Sequence, residues 1–184
     1  MTMKWMIASD IHGSAYYAEK MMKRYEEEKA DKLFLLGDIL YHGPRNDLPE
    51  DYAPKKVIAL LNPKKKEIVS VRGNCEAEVD QMVLEFPVLS DSMLLSDGTH
   101  TFFLTHGHLY TRAQLSQFLS PGNIVISGHT HIPLHEEENG ILYLNPGSVS
   151  IPKENTPHSY MIYEDGILTW KDLDGVPYDQ IALK

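Results

Sequence analysis

Short apolar runs recur along this chain, and five of them break off at a polar, glycine-bearing motif: SDIHGS at Ser9–Ser14, LLGD at Leu35–Asp38, GN at Gly73–Asn74, THGH at Thr105–His108 and GHTH at Gly128–His131. A short apolar run bounded by turn residues reads as a buried strand. Each motif therefore lies where a strand ends, and residues spread over about 120 positions are expected on one edge of one sheet. Carboxylate, imidazole and amide oxygen are the ligands that hard or borderline divalent cations take. A site explains their gathering best.

The rest of the chain sets these runs in an alternating α/β pattern without repeats or an obvious linker. Trp5–Ala8 reads as a strand, followed by an amphipathic helix over Ala15–Glu28 with Tyr16, Tyr17, Met21, Met22 and Tyr25 at helical spacing. Leu33–Leu36 and Glu67–Val71 read as strands, Ala53–Leu61 as a helix stopped by Asn62–Pro63, and Tyr41–Asp51 as a loop. This β-α-β-α-β half predicts a parallel sheet. In the second half Asp97–Gly98, Asn139–Gly140 and Asp165–Gly166 are hairpin turns. They join Ser92–Ser96 to Thr101–Leu104, Pro133–Glu137 to Gly140–Leu144, and Tyr160–Tyr163 to Leu168–Asp172. Ile124–Ser127 reads as a further strand and Arg112–Leu119 as a helix. Two packed sheets covered by helices is the simplest arrangement.

Length and charge remove several alternatives. The 184 residues suit one domain over 1–184. No apolar stretch nears the ~20 residues of a membrane span, and MTMKWMIASD reads as a core strand rather than a signal peptide. No membrane partner is expected. The lone Cys75 leaves no internal disulfide and suits the cytoplasm. A net charge of −9 speaks against a nucleic-acid partner. A homo-oligomer through an edge strand or apolar patch is compatible with the chain.

Motif by motif, each residue has a structural reading beside the chemical one. Asp10 and His12, two apart before Gly13, can face one crevice, or Asp10 or Ser14 can cap the following helix. Asp38 can cap a turn or bridge two cations with its two oxygens. Asn74 gains meaning in company, as a neutral amide ligand. Two His-x-His pairs carry more weight, because i and i+2 share a face in strand-like backbone, so His129 and His131 reach the same metals. His106 stands at a strand end; His108 is a phosphate contact or a support for the ligands. Arg45 and Asn46 are candidate phosphate contacts, since a guanidinium binds phosphate oxygens in pairs; Arg45 as a mere surface charge is the alternative.

In this order, Asp-x-His, Gly-Asp, Gly-Asn, a strand-ending His and Gly-His-x-His resemble the motif series of the calcineurin-like metallophosphoesterases, from Met6 to about Ser148. The small size, GDILYHGPRN at Gly37–Asn46 and LNPGSVSIP at Leu144–Pro152 resemble its YfcE-type branch of small bacterial phosphodiesterases. The resemblance implies an α/β fold, a two-sheet α-β-β-α sandwich of mixed sheets with helices on both outer faces. It implies two divalent metal ions, one on Asp10, His12, Asp38 and His131, the other on Asp38, Asn74, His106 and His129. Manganese is the expected ion, with zinc, nickel or iron as alternatives. The implied activity is hydrolysis of small phosphodiesters by a metal-bridging hydroxide, with Asp38, Asn74, Cys75 and His108 as the catalytic group.

One departure stands out. The wider family places a histidine after the asparagine of the third motif, whereas this chain has Asn74-Cys75-Glu76. A thiol is a poorer proton donor than an imidazolium. Cys75 is then packing, or His108 or Glu76 takes the acid role, or the substrate's leaving group needs little protonation. Two other functions share the fold: a non-catalytic protein-interaction scaffold, and a nuclease. All seven ligand positions hold competent residues, which weighs against the scaffold.

Overall fold

Period-two alternation sorts the strand side chains onto two faces. The computed structural model describes residues 3–183, so the extreme ends of the expected 1–184 domain lie outside the described residues. In β1 (Trp5–Ala8) and β2 (Lys32–Leu35), Trp5, Ile7 and Phe34 join one apolar cluster while Met6, Ala8, Leu33 and Leu35 join another. The second cluster is completed by α1 (Ala15–Glu28) and α2 (Pro54–Leu61), through Ala18, Met21, Met22, Val57 and Leu61. These are the helices that cover the outer face of the first sheet.

That sheet has the order β11-β10-β9-β1-β2-β3, with β3 at Ile68–Ser70, β9 at Ser159–Glu164, β10 at Ile167–Asp172 and β11 at Pro177–Ala182. Strands β1, β2 and β3 run parallel and β9 pairs antiparallel to β1. The second sheet has the order β4-β5-β6-β8-β7, from Ser92–Ser96, Thr101–Thr105, Asn123–Ile126, Ile141–Asn145 and Leu134–Glu138 respectively. Here β5, β6 and β8 are parallel, and β4 and β7 antiparallel to their neighbours. Both sheets are mixed, as expected.

Phe102, Leu104, Ile124 and Ile126 of the second sheet meet Trp5, Ile7, Phe34, Met161 and Tyr163 of the first in one buried layer. Trp5 stands 5.3 Å from Phe102 and 4.9 Å from Tyr163 between ring centroids. Such pairs add about 0.5–1.5 kcal/mol each beyond their burial. On the far side, Phe103, Val125 and Tyr143 pack under Leu115 and Leu119.

Three elements differ from the sequence expectation. The helix expected over Arg112–Leu119 is a single turn, α4 (Arg112–Leu115); beyond it the N–H groups of Gln117 and Phe118 bond only three residues back. A short helix α3 (Glu78–Val83) follows the GN motif with Val79 and Met82 exposed, so no apolar face announced it. Strand β11 is polar and mostly exposed, and exists by pairing with β10.

Candidate metal centre

The C-terminal ends of parallel strands from both sheets converge at one rim. Asp10 follows β1, Asp38 follows β2 and Asn74 follows β3, while His106 follows β5 and both His129 and His131 follow β6. The site is thus shared between two facing sheets, not set on one edge of one sheet as the motif order suggested.

The backbone at these ends is unusual. Asp10 (φ 59°), His12 (49°), Asp38 (53°), His129 (68°) and His131 (62°) are all left-handed. Non-glycine residues rarely sit there, at a cost of about 1 kcal/mol or more each. His129 and His131 therefore reach the site through left-handed turns past β6, not as i and i+2 of a strand. Hydrogen bonds hold the strained loops: the N–H of His12 donates to the Asp38 carbonyl (2.8 Å), and the Ser148 and Ser150 hydroxyls donate to the Asp10 carbonyl (2.9 and 3.1 Å). Gly128 is needed for space, since a Cβ there would collide with Ser9 Oγ. The following N–H, of His129, donates to Asp10 Oδ2 at 3.1 Å. Ser14 caps α1, accepting from the Tyr17 N–H, which leaves Asp10 free of that duty.

Three imidazoles are locked in one tautomer. A carbonyl can only accept, so Nδ1–H of His12, His106 and His131 donates to the carbonyls of Tyr41 (2.8 Å), Leu36 (2.7 Å) and Ile151 (2.7 Å). Their Nε2 atoms are left to face inward. There His12 Nε2 lies 3.3 Å from His131 Nε2, 3.5 Å from Asp10 Oδ1 and 3.6 Å from Asp38 Oδ2. His131 Nε2 is 3.2 Å from Asp10 Oδ1. On the other side His106 Nε2 lies 3.4 Å from the same Asp38 Oδ2, 3.1 Å from Asn74 Oδ1 and 3.2 Å from His129 Nδ1. Asp10, His12, Asp38, His106 and His131 are at most 3% exposed. Buried Asp10 Oδ1 makes no aligned hydrogen bond. Acceptor atoms this close want a shared positive centre, so these residues fit divalent cations.

Burial alone would lower the His106 pKa, but the Asp38 and Asp10 carboxylates outweigh it and push it up to about 9. His12 is raised in the same way, against its burial, by Asp10, the Tyr41 carbonyl and Asp38. Burial resists ionisation of Asp10, yet His12, His131 and His106 hold its carboxyl well below the usual range. Asp38 is also lowered, by His106 and by the Cys75 N–H, against its burial. Burial and the charge on His106 lower His108 and His129.

The departing third motif has a structural account. Both oxygens of Glu76 accept backbone N–H groups, from Asp38 (2.8 Å), Ile39 (2.7 Å) and Gly73 (2.5 Å). Burial and the Asp38 charge push its carboxyl up to about 7 against these donors. Glu76 buttresses the Asp38 loop and does not line the cavity beside the candidate ligands. Half-buried Cys75 donates its N–H to Asp38 Oδ1 at 2.9 Å. Burial and nearby Asp38 push its thiol up, so the thiol keeps its proton. The His108 ring lies 5.3 Å from His106 and 6.1 Å from His129, with Nδ1 buried and unbonded.

A polar cavity of about 490 Å³ opens onto this cluster, lined by Asp38, Asn74, His129 and His131 and also by Arg45 and Asn46. Lys153 lines it too, a residue the sequence reading missed. Its only signal was its place just after the LNPGSVSIP stretch.

Residues 3–165 match the calcineurin-like phosphoesterase superfamily domain. Over 167 residues the chain is 44% identical to phosphodiesterase YfcE of Escherichia coli (strain K12), covering 91% of this chain and 90% of that one. The solved structure of the E. coli YfcE phosphoesterase aligns with a TM-score of 0.94 at 43% identity, covering 99% of this chain and 100% of that one. The zinc complex of Vps29 from Entamoeba histolytica aligns with a TM-score of 0.68 at 20% identity, covering 99% and 100%. That second likeness shows the fold alone.

Proposed function

This chain belongs to the calcineurin-like phosphoesterase superfamily and is a metal-dependent phosphoesterase, and from that premise we propose that it is a dinuclear phosphodiesterase acting on small phosphodiesters. Asp10, His12, Asp38 and His131 would hold one divalent ion, and Asp38, Asn74, His106 and His129 the other. Asp38, whose Oδ2 lies near Nε2 of both His12 and His106, would serve both ions. Manganese is the proposed ion. When bound, such a pair supplies Lewis acidity toward the phosphoryl oxygens and a hydroxide nucleophile near neutral pH.

The chain's own residues do the rest. The carbonyls of Tyr41, Leu36 and Ile151 keep three imidazoles oriented and basic at Nε2. Arg45 and Asn46 grip phosphoryl oxygens from the cavity wall. His108, kept neutral, donates a hydrogen bond toward the leaving oxygen. Cys75 acts through its N–H, which fixes Asp38, and not through its thiol. The reading includes one domain over residues 1–184, a cytoplasmic location, and neither nucleic acid nor membrane as partner. Among the described residues no helix is long and apolar enough to cross a membrane, and the net charge is −9.

The observation that carries the proposal is the convergence of the three locked Nε2 atoms on two buried carboxylates. A scaffold would have no need to keep so strained a set. The test is hydrolysis of bis-p-nitrophenyl phosphate and p-nitrophenyl phosphate by metal-stripped protein with Mn²⁺ restored, beside His129→Ala. Manganese-dependent turnover of the diester, lost in the variant, is expected. A folded protein inert with Mn²⁺, Zn²⁺ and Ni²⁺ sinks the proposal in favour of the scaffold.

A further inference from the structure

Arg45 and Lys153 reach the metal-side cavity from separate loops, one after β2 and one after β8. Most basic residues of this acidic chain are matched: Lys64, Arg72, Arg112 and Lys171 each reach a carboxylate. Arg45 and Lys153 form no ion pair among the described residues, although the chain has 26 Asp and Glu against 17 Lys and Arg. The one carboxylate lining their cavity is Asp38, which is engaged with His12, His106 and the Cys75 N–H. Lys153 is nonetheless firmly placed. Its N–H donates to the His131 carbonyl (3.2 Å) and its carbonyl accepts from the Thr156 hydroxyl (2.7 Å), so the backbone is pinned while the ammonium stays free.

A phosphodiester carries a single negative charge, which the proposed cations and one guanidinium already match. A second unpaired cation in the same cavity is surplus for that group. We infer that Lys153, together with Arg45, selects phosphodiesters that carry a second phosphate group close to the scissile one. Lys153 is then a specificity-determining residue that binds the outlying phosphate, while the candidate metal ligands face the scissile one. This deepens the phosphodiesterase reading and rests on it.

The test compares thymidine 5′-(p-nitrophenyl phosphate) with the same diester bearing a 3′-phosphate, for wild type, Lys153→Met and Lys153→Arg. In the wild type the 3′-phosphate raises kcat/KM by roughly tenfold, mainly through KM, the scale of one charge-assisted contact. Lys153→Met brings the ratio of the two substrates close to one, and Lys153→Arg restores it. A wild-type ratio near one, or a ratio that Lys153→Met leaves unchanged, overturns the inference. Calorimetric binding of thymidine 3′,5′-bisphosphate and thymidine 5′-monophosphate to metal-stripped protein separates the two ideas. If neither diester is turned over, the phosphodiesterase reading fails by itself. The role of Lys153 then stands if Lys153→Met weakens the bisphosphate more than the monophosphate, and falls if it weakens both equally or neither.

Discussion

The carboxylate of Glu76 takes up the N–H groups of Asp38, Ile39 and Gly73 at once, and so fixes the left-handed turn from which Asp38 points into the site. Exchanging one of its oxygens for an amide turns an acceptor into a donor facing buried N–H groups. Glu76→Gln is therefore expected to cost about 2–3 kcal/mol in urea unfolding and to weaken metal uptake in a direct titration. Unchanged stability would mean that the loop holds itself. Gly73 belongs to the same arrangement, since a Cβ there would run into the Asp38 carboxylate. In sequence, Glu76 was only a candidate acid beside Cys75. Of the three donors that occupy it, Asp38 and Ile39 stand 38 and 37 residues away in the chain and Gly73 only three.

At the scale of an element, the hairpin of β4 and β5 is closed by Asp97. Its carboxylate accepts the N–H groups of Thr99 (2.7 Å) and His100 (2.6 Å) and the hydroxyl of Tyr163 on β9, which ties the turn to the other sheet. Burial would raise its pKa, but these donors and the His100 ring hold it well below the usual range. A depressed carboxyl stabilises the fold above its unfolded pKa of 3.8, and that contribution is lost as pH falls below it. Asp97→Asn is expected to lose about 1 kcal/mol near neutral pH and to lose less than the wild type on acidification. Parallel acid unfolding curves for the two proteins would contradict this. The Asp-Gly turn itself was legible from sequence because its chemistry is local; the tie to Tyr163, 66 residues away, was not.

For the molecule as a whole, the candidate ligands come from both sheets, so metal ions would pin one sheet to the other across the layer of Trp5, Phe102 and Tyr163. Chelation is expected to lower the Tm, and saturation at about 100 times Kd to stabilise by about 2.7 kcal/mol. His106 adds a pH dependence. Its pKa, raised from 6.5 to about 9, stabilises the metal-free fold below 6.5, and that contribution is lost as pH rises through about 9. The Tm gain from metal should therefore grow over that interval, as the proton competes less well. A gain independent of pH would show that His106 does not exchange a proton for metal. The sequence alone determined which residues are candidates for the chemistry and where strands end, because apolar runs, turn pairs and ligand types are local properties of the chain. It pointed to the sandwich too, since the unbroken apolar run Trp5–Ala8 demands cover on both faces. Only the tertiary structure decided that the site spans two sheets, that its histidines sit in left-handed turns locked by distant carbonyls, and that Lys153 shares its cavity. Those features arise from backbone strain and long-range hydrogen bonds, which become defined only when segments far apart in the chain are packed together.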